Sequence, residues 1–528
     1  MEPRQLTTVE AAVERIRDGD VFSFNGIGAI GFPERFFPAL EQRFLREGHP
    51  RGLTLYSACG LGTERHEIHH LKHPGLISCL MVGYILPYSV FAPVLEAGEM
   101  EGYNLPQGVI SMNYRAAAAG QPGFYSKVGL HTFADPRLQG CALNERSRKR
   151  LVELHELDGE EYLFYRTVRP NVCVLRGTTA DPAGNITLEK EVNVADALAI
   201  AMATHNNGGQ VLVQVERLSD MPADPRDVRV PGALVDAIWL SDTQRQTNQQ
   251  GGPCPYYSGE ERAPEEVAAA MIRRELSGER YPGKPVSAAE RIIARRAALE
   301  LRGCGVVNLG IGMPMLAAGE AAQMGILKEG VTLTIETGVT GGIPVPDAFG
   351  AVLNADAIYD QASQFSLYEG GGLDATLVGA LEIDRLGNVN VIRTGGMLFG
   401  AGGFQHVTQA KKIVVCSRFR RGSGFTEKNG VPVVVEGTKD KFVQEVECIA
   451  LNAQYMRSQG RRVIYITERC VLELEDDGLV LTEVTPGLHP WFSILQHIPF
   501  PVRVATRLRN MPAECFAFLS EQKGSEGK

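Results

Sequence analysis

No CxxC pair occurs among the ten cysteines of this 528-residue chain. They stand singly, as at Cys173, Cys304 and Cys416, mostly in apolar surroundings. A chain of this length needs no disulfide scaffold, so the pattern predicts buried free thiols in a reducing compartment. No window holds 18 uninterrupted apolar residues, which argues against a membrane-spanning helix. The opening Met1-Glu2-Pro3-Arg4 lacks the apolar core of a signal peptide, and a cytoplasmic location is expected. Basic clusters are short and isolated, as at Arg461-Arg462, and the formal net charge is −9, so nucleic acid is not an expected partner. There is no GxxxxGK[ST] loop and no GxSxG elbow, which leaves phosphoryl transfer and serine hydrolysis without support. At roughly 100–200 residues per domain, the length predicts two to four domains. The polar tail, residues 521–528, is expected to fray.

The chain does contain a repeat. Thr7-Thr8-Val9-Glu10 has the form of a helix capping box, followed by a helix to about Arg17, an apolar run over 21–24 and the turn Gly26-Ile27-Gly28. Ser287-Ala288-Ala289-Glu290 opens the same series: a helix to about Leu301, an apolar run over 306–309 and Gly310-Ile311-Gly312. A second pair follows in the same order. Asp181-Pro182-Ala183-Gly184-Asn185 matches Asp384-Arg385-Leu386-Gly387-Asn388, and each leads to a hydrophobic strand ending in arginine, Arg217 or Arg418. Short β-branched runs alternating with helical patterns predict mainly parallel sheets. The expected fold class is therefore α/β, with two similar domains from an internal duplication. Their predicted extents are 1–262 and 263–528, joined through the Gln-, Gly- and Pro-rich stretch 241–263. The first half carries extra material, from about Leu53 to Tyr165, with no counterpart in the second.

Three motifs invite a functional reading. Gly26-Ile27-Gly28-Ala29-Ile30-Gly31 fits GxGxxG, but the next strand region, 53–56, offers no acid for a ribose, so a tight turn is preferred to a dinucleotide site. His66-Glu67-Ile68-His69-His70 fits HExxH, yet Pro74-Gly75 ends any helix within a turn; a polar loop is preferred and no metal is expected. Glu336 closes an apolar strand and is followed by Thr337-Gly338-Val339-Thr340-Gly341-Gly342. A carboxylate at the carboxyl end of a strand, in glycine-rich backbone, can meet a ligand closely, and the amides of Gly338, Gly341 and Gly342 are candidates to face an anion. An ordinary strand-end glutamate is the competing reading. Further glycine runs at 370–372, 395–396 and 400–403 suggest backbone around a large anionic ligand, although each alone is more often a turn.

Taken together, these residues resemble the family I coenzyme A transferases, in the acetate/propionate and 3-ketoacid branch whose two subunits are fused in one chain. The resemblance covers nearly the whole sequence. It rests on Tyr103-Asn104-Leu105-Pro106-Gln107-Gly108, Lys127-Val128-Gly129-Leu130 with Asp135-Pro136-Arg137, and Arg176-Gly177-Thr178-Thr179 in the first half. In the second half it rests on Asn308-Leu309-Gly310-Ile311-Gly312, on the Glu336 segment and on Gly400-Ala401-Gly402-Gly403-Phe404. The chain departs from the family at Gly140-Cys141-Ala142 and in the loop from His66 to His73, both of which bear on acyl specificity. The resemblance implies that Glu336 is a covalent nucleophile that passes through an acyl anhydride to a glutamyl-CoA thioester. It implies oxyanion or CoA-binding amides at Gly310, Gly312, Gly402 and Gly403, and a place for Gln107 in the acyl pocket. A carboxylate ionised at neutral pH needs no activating base, in keeping with the lack of a triad. Coenzyme A is then a substrate, and no permanent cofactor is expected. The partners implied are acyl-CoA and small carboxylic acids, in a homodimer or homotetramer. The alternatives are an acyl-CoA hydrolase using the same glutamate, an NAD-dependent oxidoreductase, and a CoA-binding protein without catalysis.

Overall fold

The computed structural model describes the chain except for residues 1–4, 29, 61–67, 248–252, 278–285, 346–347, 349, 429–430 and 520–528. His66, Glu67 and the 521–528 tail therefore lie outside the described residues.

Two large sheets organise the molecule. The first contains β1 (Val21–Phe24), β2 (Leu53–Ser57), β3 (Ile77–Val82), β4 (Glu101–Asn104), β5 (Val172–Ala180), β6 (Gln210–Leu218) and β7 (Ala237–Leu240), in the spatial order β7-β6-β5-β1-β2-β3-β4. Every pairing along that path is parallel. The second contains β8 (Val306–Leu309), β9 (Thr332–Ile335), β10 (Ala375–Gly379), β11 (Lys412–Cys416) and β12 (Arg462–Ile466). Its parallel centre runs β12-β11-β10-β8-β9, with antiparallel strands added at both ends. Strands buried on both faces read as continuous apolar runs, and β2 and β5 are buried at every position.

The duplication is written in this order. Taking β1, β2, β5, β6 and β7 as counterparts of β8, β9, β10, β11 and β12, the two sheets have the same sequence of neighbours. The repeated Asp-Asn turns agree atom for atom. Asp181 Oδ1 accepts from the Ala183 and Asn185 amides at 2.8 and 2.9 Å, and Asp384 Oδ1 accepts from the Leu386 and Asn388 amides, both at 2.9 Å. Each is an aspartate capping its own tight turn before a short return strand.

Local signals were correct in kind and shifted in place. Ser287 caps helix α3 (Ala288–Leu299) with a full reciprocal box to Glu290. At the first copy the cap is Thr8 rather than Thr7: its hydroxyl accepts from the Ala11 amide, and the helix stops at Val13 instead of reaching Arg17. The extra material of the first half does not begin at Leu53, because β2 is the counterpart of β9. The additions are β3, β4 and a three-stranded antiparallel sheet between Gly123 and Arg166.

The glycine turn at 26–31 closes on itself, with reciprocal amide bonds between Ile27 and Ile30. The next helix, α1 (Phe36–Glu47), starts beyond Pro33, so no helix N-terminus meets the turn as a dinucleotide site requires. His70 and His73 both contact Glu41, and no trio of metal-ligating side chains occurs among the described residues. All ten cysteines are free; Cys254 alone is only partly buried. No helix among the described residues is long and apolar enough to cross a membrane.

Candidate active site

A cleft of about 320 Å³ opens at the carboxyl ends of β8, β9 and β10. This is where parallel α/β sheets place ligands, because the strand ends and helix starts leave backbone amides unpaired there. The second half contributes Glu336, the turn from Gly310 to Pro314, and the loop from Phe399 to Phe404. The first half closes the cleft with Ile27, Tyr84 and Gln107. The sequence-predicted residues Glu336, Gly310, Gly312, Gly402, Gly403 and Gln107 therefore meet at one place. The runs at 370–372 and 395–396 do not line it; the former ends helix α5 (Gln361–Glu369).

Glu336 continues directly from β9 and is 8% exposed. Burial pushes its carboxyl up from the usual value near 4.5 to about 7. Near neutrality burial thus favours the protonated form more than in water, and no ion pair to Glu336 occurs among the described residues. The contact with the Phe399–Phe404 loop is close. A Cβ on Gly403 would stand 2.8 Å from Glu336 Cγ and 2.9 Å from its Cδ. Only a residue without a side chain lets that backbone touch the carboxyl.

Backbone donors divide into engaged and available. The Gly402 amide donates to the Gly83 carbonyl at 2.8 Å, and the Gly310 amide to the Leu377 carbonyl at 2.8 Å. In this geometry both amides are engaged, while the two residues line the cleft. The Gly338 and Gly341 amides are likewise bonded, to Ile335 and Leu333. By contrast, the amides of Gly403 and Gly312 find no acceptor among the described residues. Gly312, at φ +85°, caps α4 (Met313–Gln323), so the start of that helix faces the cleft with its partial positive charge.

Gln107 begins α2 (Gln107–Ala118) and is 2% exposed. Its amide nitrogen donates to Cys59 Sγ at 2.9 Å and to Gln361 Oε1 at 3.0 Å. Gln361 Nε2 in turn donates to Asp196 Oδ2 and to Ser111 Oγ, both at 2.7 Å, and the Ser111 hydroxyl donates to Asp196 Oδ2 at 2.7 Å. Cys59, Ser111, Asp196 and Gln361 were not singled out from the sequence. Their only local signal is a polar residue in an otherwise apolar stretch, as with Asp196 in Asn193-Val194-Ala195-Asp196-Ala197. His406, three residues beyond Gly403 in the short helix Phe404–Val407, is fully buried against Phe365 with both ring nitrogens unpartnered, and burial lowers its pKa to about 3. It is neutral and lies outside the cleft lining, so it is no base for Glu336.

The chain as a whole is similar to known proteins. Residues 6–241 match the family model described as Coenzyme A transferase. The caffeate CoA-transferase of Acetobacterium woodii is 36% identical over 524 residues, covering 97% of each chain. The acetate CoA-transferase YdiF of Escherichia coli (strain K12) is 35% identical over 523 residues, covering 97% of this chain and 95% of that one. A crystal structure of the acyl-CoA transferase YdiF from E. coli O157:H7, a thioester complex with CoA, superposes with a TM-score of 0.89 at 33% identity, covering 98% of this chain and 96% of that one. The chain belongs to the family I coenzyme A transferases with fused subunits. It is a coenzyme A transferase of the mixed α/β fold that its sequence resemblance implied.

Proposed function

We propose that the enzyme transfers CoA between short carboxylic acids by a ping-pong route through a glutamyl-CoA thioester on Glu336, with residues 1–262 and 263–528 standing for the two fused subunits. The observation that carries this reading is the buried Glu336 carboxyl held against Gly403 in a cleft with two unpaired amides. The carboxylate attacks the acyl-CoA carbonyl, the C–S bond breaks, and CoA leaves as thiolate from an acyl-glutamyl anhydride. The thiolate then attacks the glutamyl carbonyl, and the C–O bond breaks to release the first acid as its carboxylate. An incoming carboxylate runs the two steps backwards on the glutamyl thioester. No electrons or protons are exchanged overall. The Gly403 amide is suited to the oxyanion that develops beside Glu336, and the α4 start to the departing thiolate. Burial strips water from the nucleophile and so raises its reactivity. The thioester complex of the YdiF structure is consistent with this route.

The test is mass spectrometry of the enzyme after exposure to a short acyl-CoA without acceptor. CoA on the peptide containing Glu336, lost when acetate or propionate is added, is the expected result. An adduct that never forms, or one released by water as fast as by acid, would sink the ping-pong route through Glu336. A pH profile adds a second reading. Only the ionised glutamate attacks, so kcat/KM for acyl-CoA should rise about tenfold per pH unit below about 7 and level off above it. A flat profile from pH 5.5 to 8 would contradict the burial of the nucleophile.

A further inference from the structure

Every link from Gln107 to Asp196 has a fixed donor sense. Asp196 is 3% exposed, and its Oδ2 receives both the Gln361 amide and the Ser111 hydroxyl. Its other oxygen, Oδ1, is buried without a partner. With the carboxyl ionised, or carrying a proton on the unpartnered Oδ1, Oδ2 is an acceptor. Gln361 must therefore point its nitrogen at Asp196 and its oxygen at Gln107. The Cys59 thiol, 3.3 Å from Gln361 Oε1, donates to it in that orientation. Gln107 must then turn its nitrogen inward, to Gln361 and Cys59. What remains for the cleft is the Gln107 oxygen, 3.6 Å from where a side chain on Gly402 would begin. The relay crosses between the halves, since Gln361 belongs to the second and its partners to the first. Its frame is rigid: the Gln361 amide donates to the Ala195 carbonyl at 3.0 Å, and the Asp196 amide to Asn25 Oδ1 at 2.8 Å.

We infer that Asp196 and Gln361 are positioning residues that fix the Gln107 amide with its oxygen toward the substrate, so that the acyl subsite accepts a hydrogen bond and selects acids bearing a hydroxyl near the carboxyl over the matching oxo acids. A hydroxyl can donate to that oxygen. A keto oxygen cannot, and would face it acceptor to acceptor. Discrimination built on a placed hydrogen-bonding group exceeds what an apolar pocket achieves.

This inference rests on the Glu336 reading, and the experiment separates the two. The glutamyl-CoA adduct is first prepared and weighed. Its discharge is then followed with 3-hydroxybutyrate against 3-oxobutyrate and with lactate against pyruvate. The wild-type enzyme should favour the hydroxy acid of at least one pair by about tenfold in kcat/KM. Asp196→Leu removes the acceptor that holds the Gln361 nitrogen, leaves Gln361 and Gln107 free to turn round, and should bring the preference to parity. Gln361→Leu frees the Gln107 amide and should bring the ratio near one. A purely structural role would lower both rates and leave their ratio alone. A wild-type preference for the oxo acids, or ratios within about twofold of wild type in variants that still form the adduct, overturns the assignment. If neither variant forms the adduct, the wild-type ratio decides. No adduct in the wild type removes the Glu336 reading and this one with it.

Discussion

Glu336→Gln is expected to lower CoA transfer by about 10⁴-fold or more while leaving the protein folded. The amide has the shape of the carboxyl but is neither a nucleophile nor able to form the anhydride. The same variant should be more stable than wild type at pH 8. Folding moves this carboxyl from an ordinary value near 4.5 to about 7. Between those values the unfolded chain has released the proton and the folded chain still holds it, so wild-type stability falls as pH rises across that window. At pH 8 the loss amounts to about 3 kcal/mol. The glutamine carries no such term. Melting curves should therefore separate the two proteins by about 3 °C at pH 8 and bring them together near pH 4.5. A loss of activity without that pH-dependent gain would mean that Glu336 is essential but not desolvated.

Gly403→Ala is the second large effect, expected to lower kcat by about 100-fold with little loss of stability. Gly403 sits at φ −79°, a conformation alanine adopts freely, so no backbone strain arises. The new methyl would instead lie 2.8 to 3.0 Å from Glu336 Cγ, Cδ and Oε1. Something must move, and the flexible end of Glu336 moves more readily than backbone. Displacing a nucleophile by about 1 Å costs roughly two orders of magnitude in rate. The check is kcat together with melting temperature. A stable variant with full activity would place the reacting carboxylate away from this loop. Gly402 is a poor substitute for the test: its φ of +58° adds strain of its own.

The parts of this fold that were legible in the sequence are those made by neighbours along the chain. The Ser287-Glu290 box, the paired Asp-Asn turns and the strand ends at Phe24 and Leu309 each depend on a few consecutive residues. Glu336 stood out because the glycines after it are local too. The ionisation of Glu336 was not legible, since it is set by residues from both halves that remove its water. Nor was the engagement of the Gly310 and Gly402 amides, whose acceptors, Leu377 and Gly83, are remote in sequence. The relay through Gln361 and Asp196 joins residues 165 positions apart, and no periodicity marks such a pair. Thr8 displaced Thr7 as the cap because two adjacent threonines offer the same chemistry, and only the chain path chooses between them.

The shared strand order implies an unequal inheritance. Two copies of one unit descend to this chain, and each has a strand end in the position from which Glu336 reaches the cleft. In the first copy that end carries Ser57, Ala58 and Cys59, none of which is a carboxylate. Of the two equivalent strand ends only one carries a carboxylate, and the first half serves the cleft as its wall, through Ile27, Tyr84 and Gln107. Titration with acyl-CoA should accordingly load one equivalent of CoA per polypeptide, and the wall, relieved of chemistry, is the half free to diversify in the acids it admits.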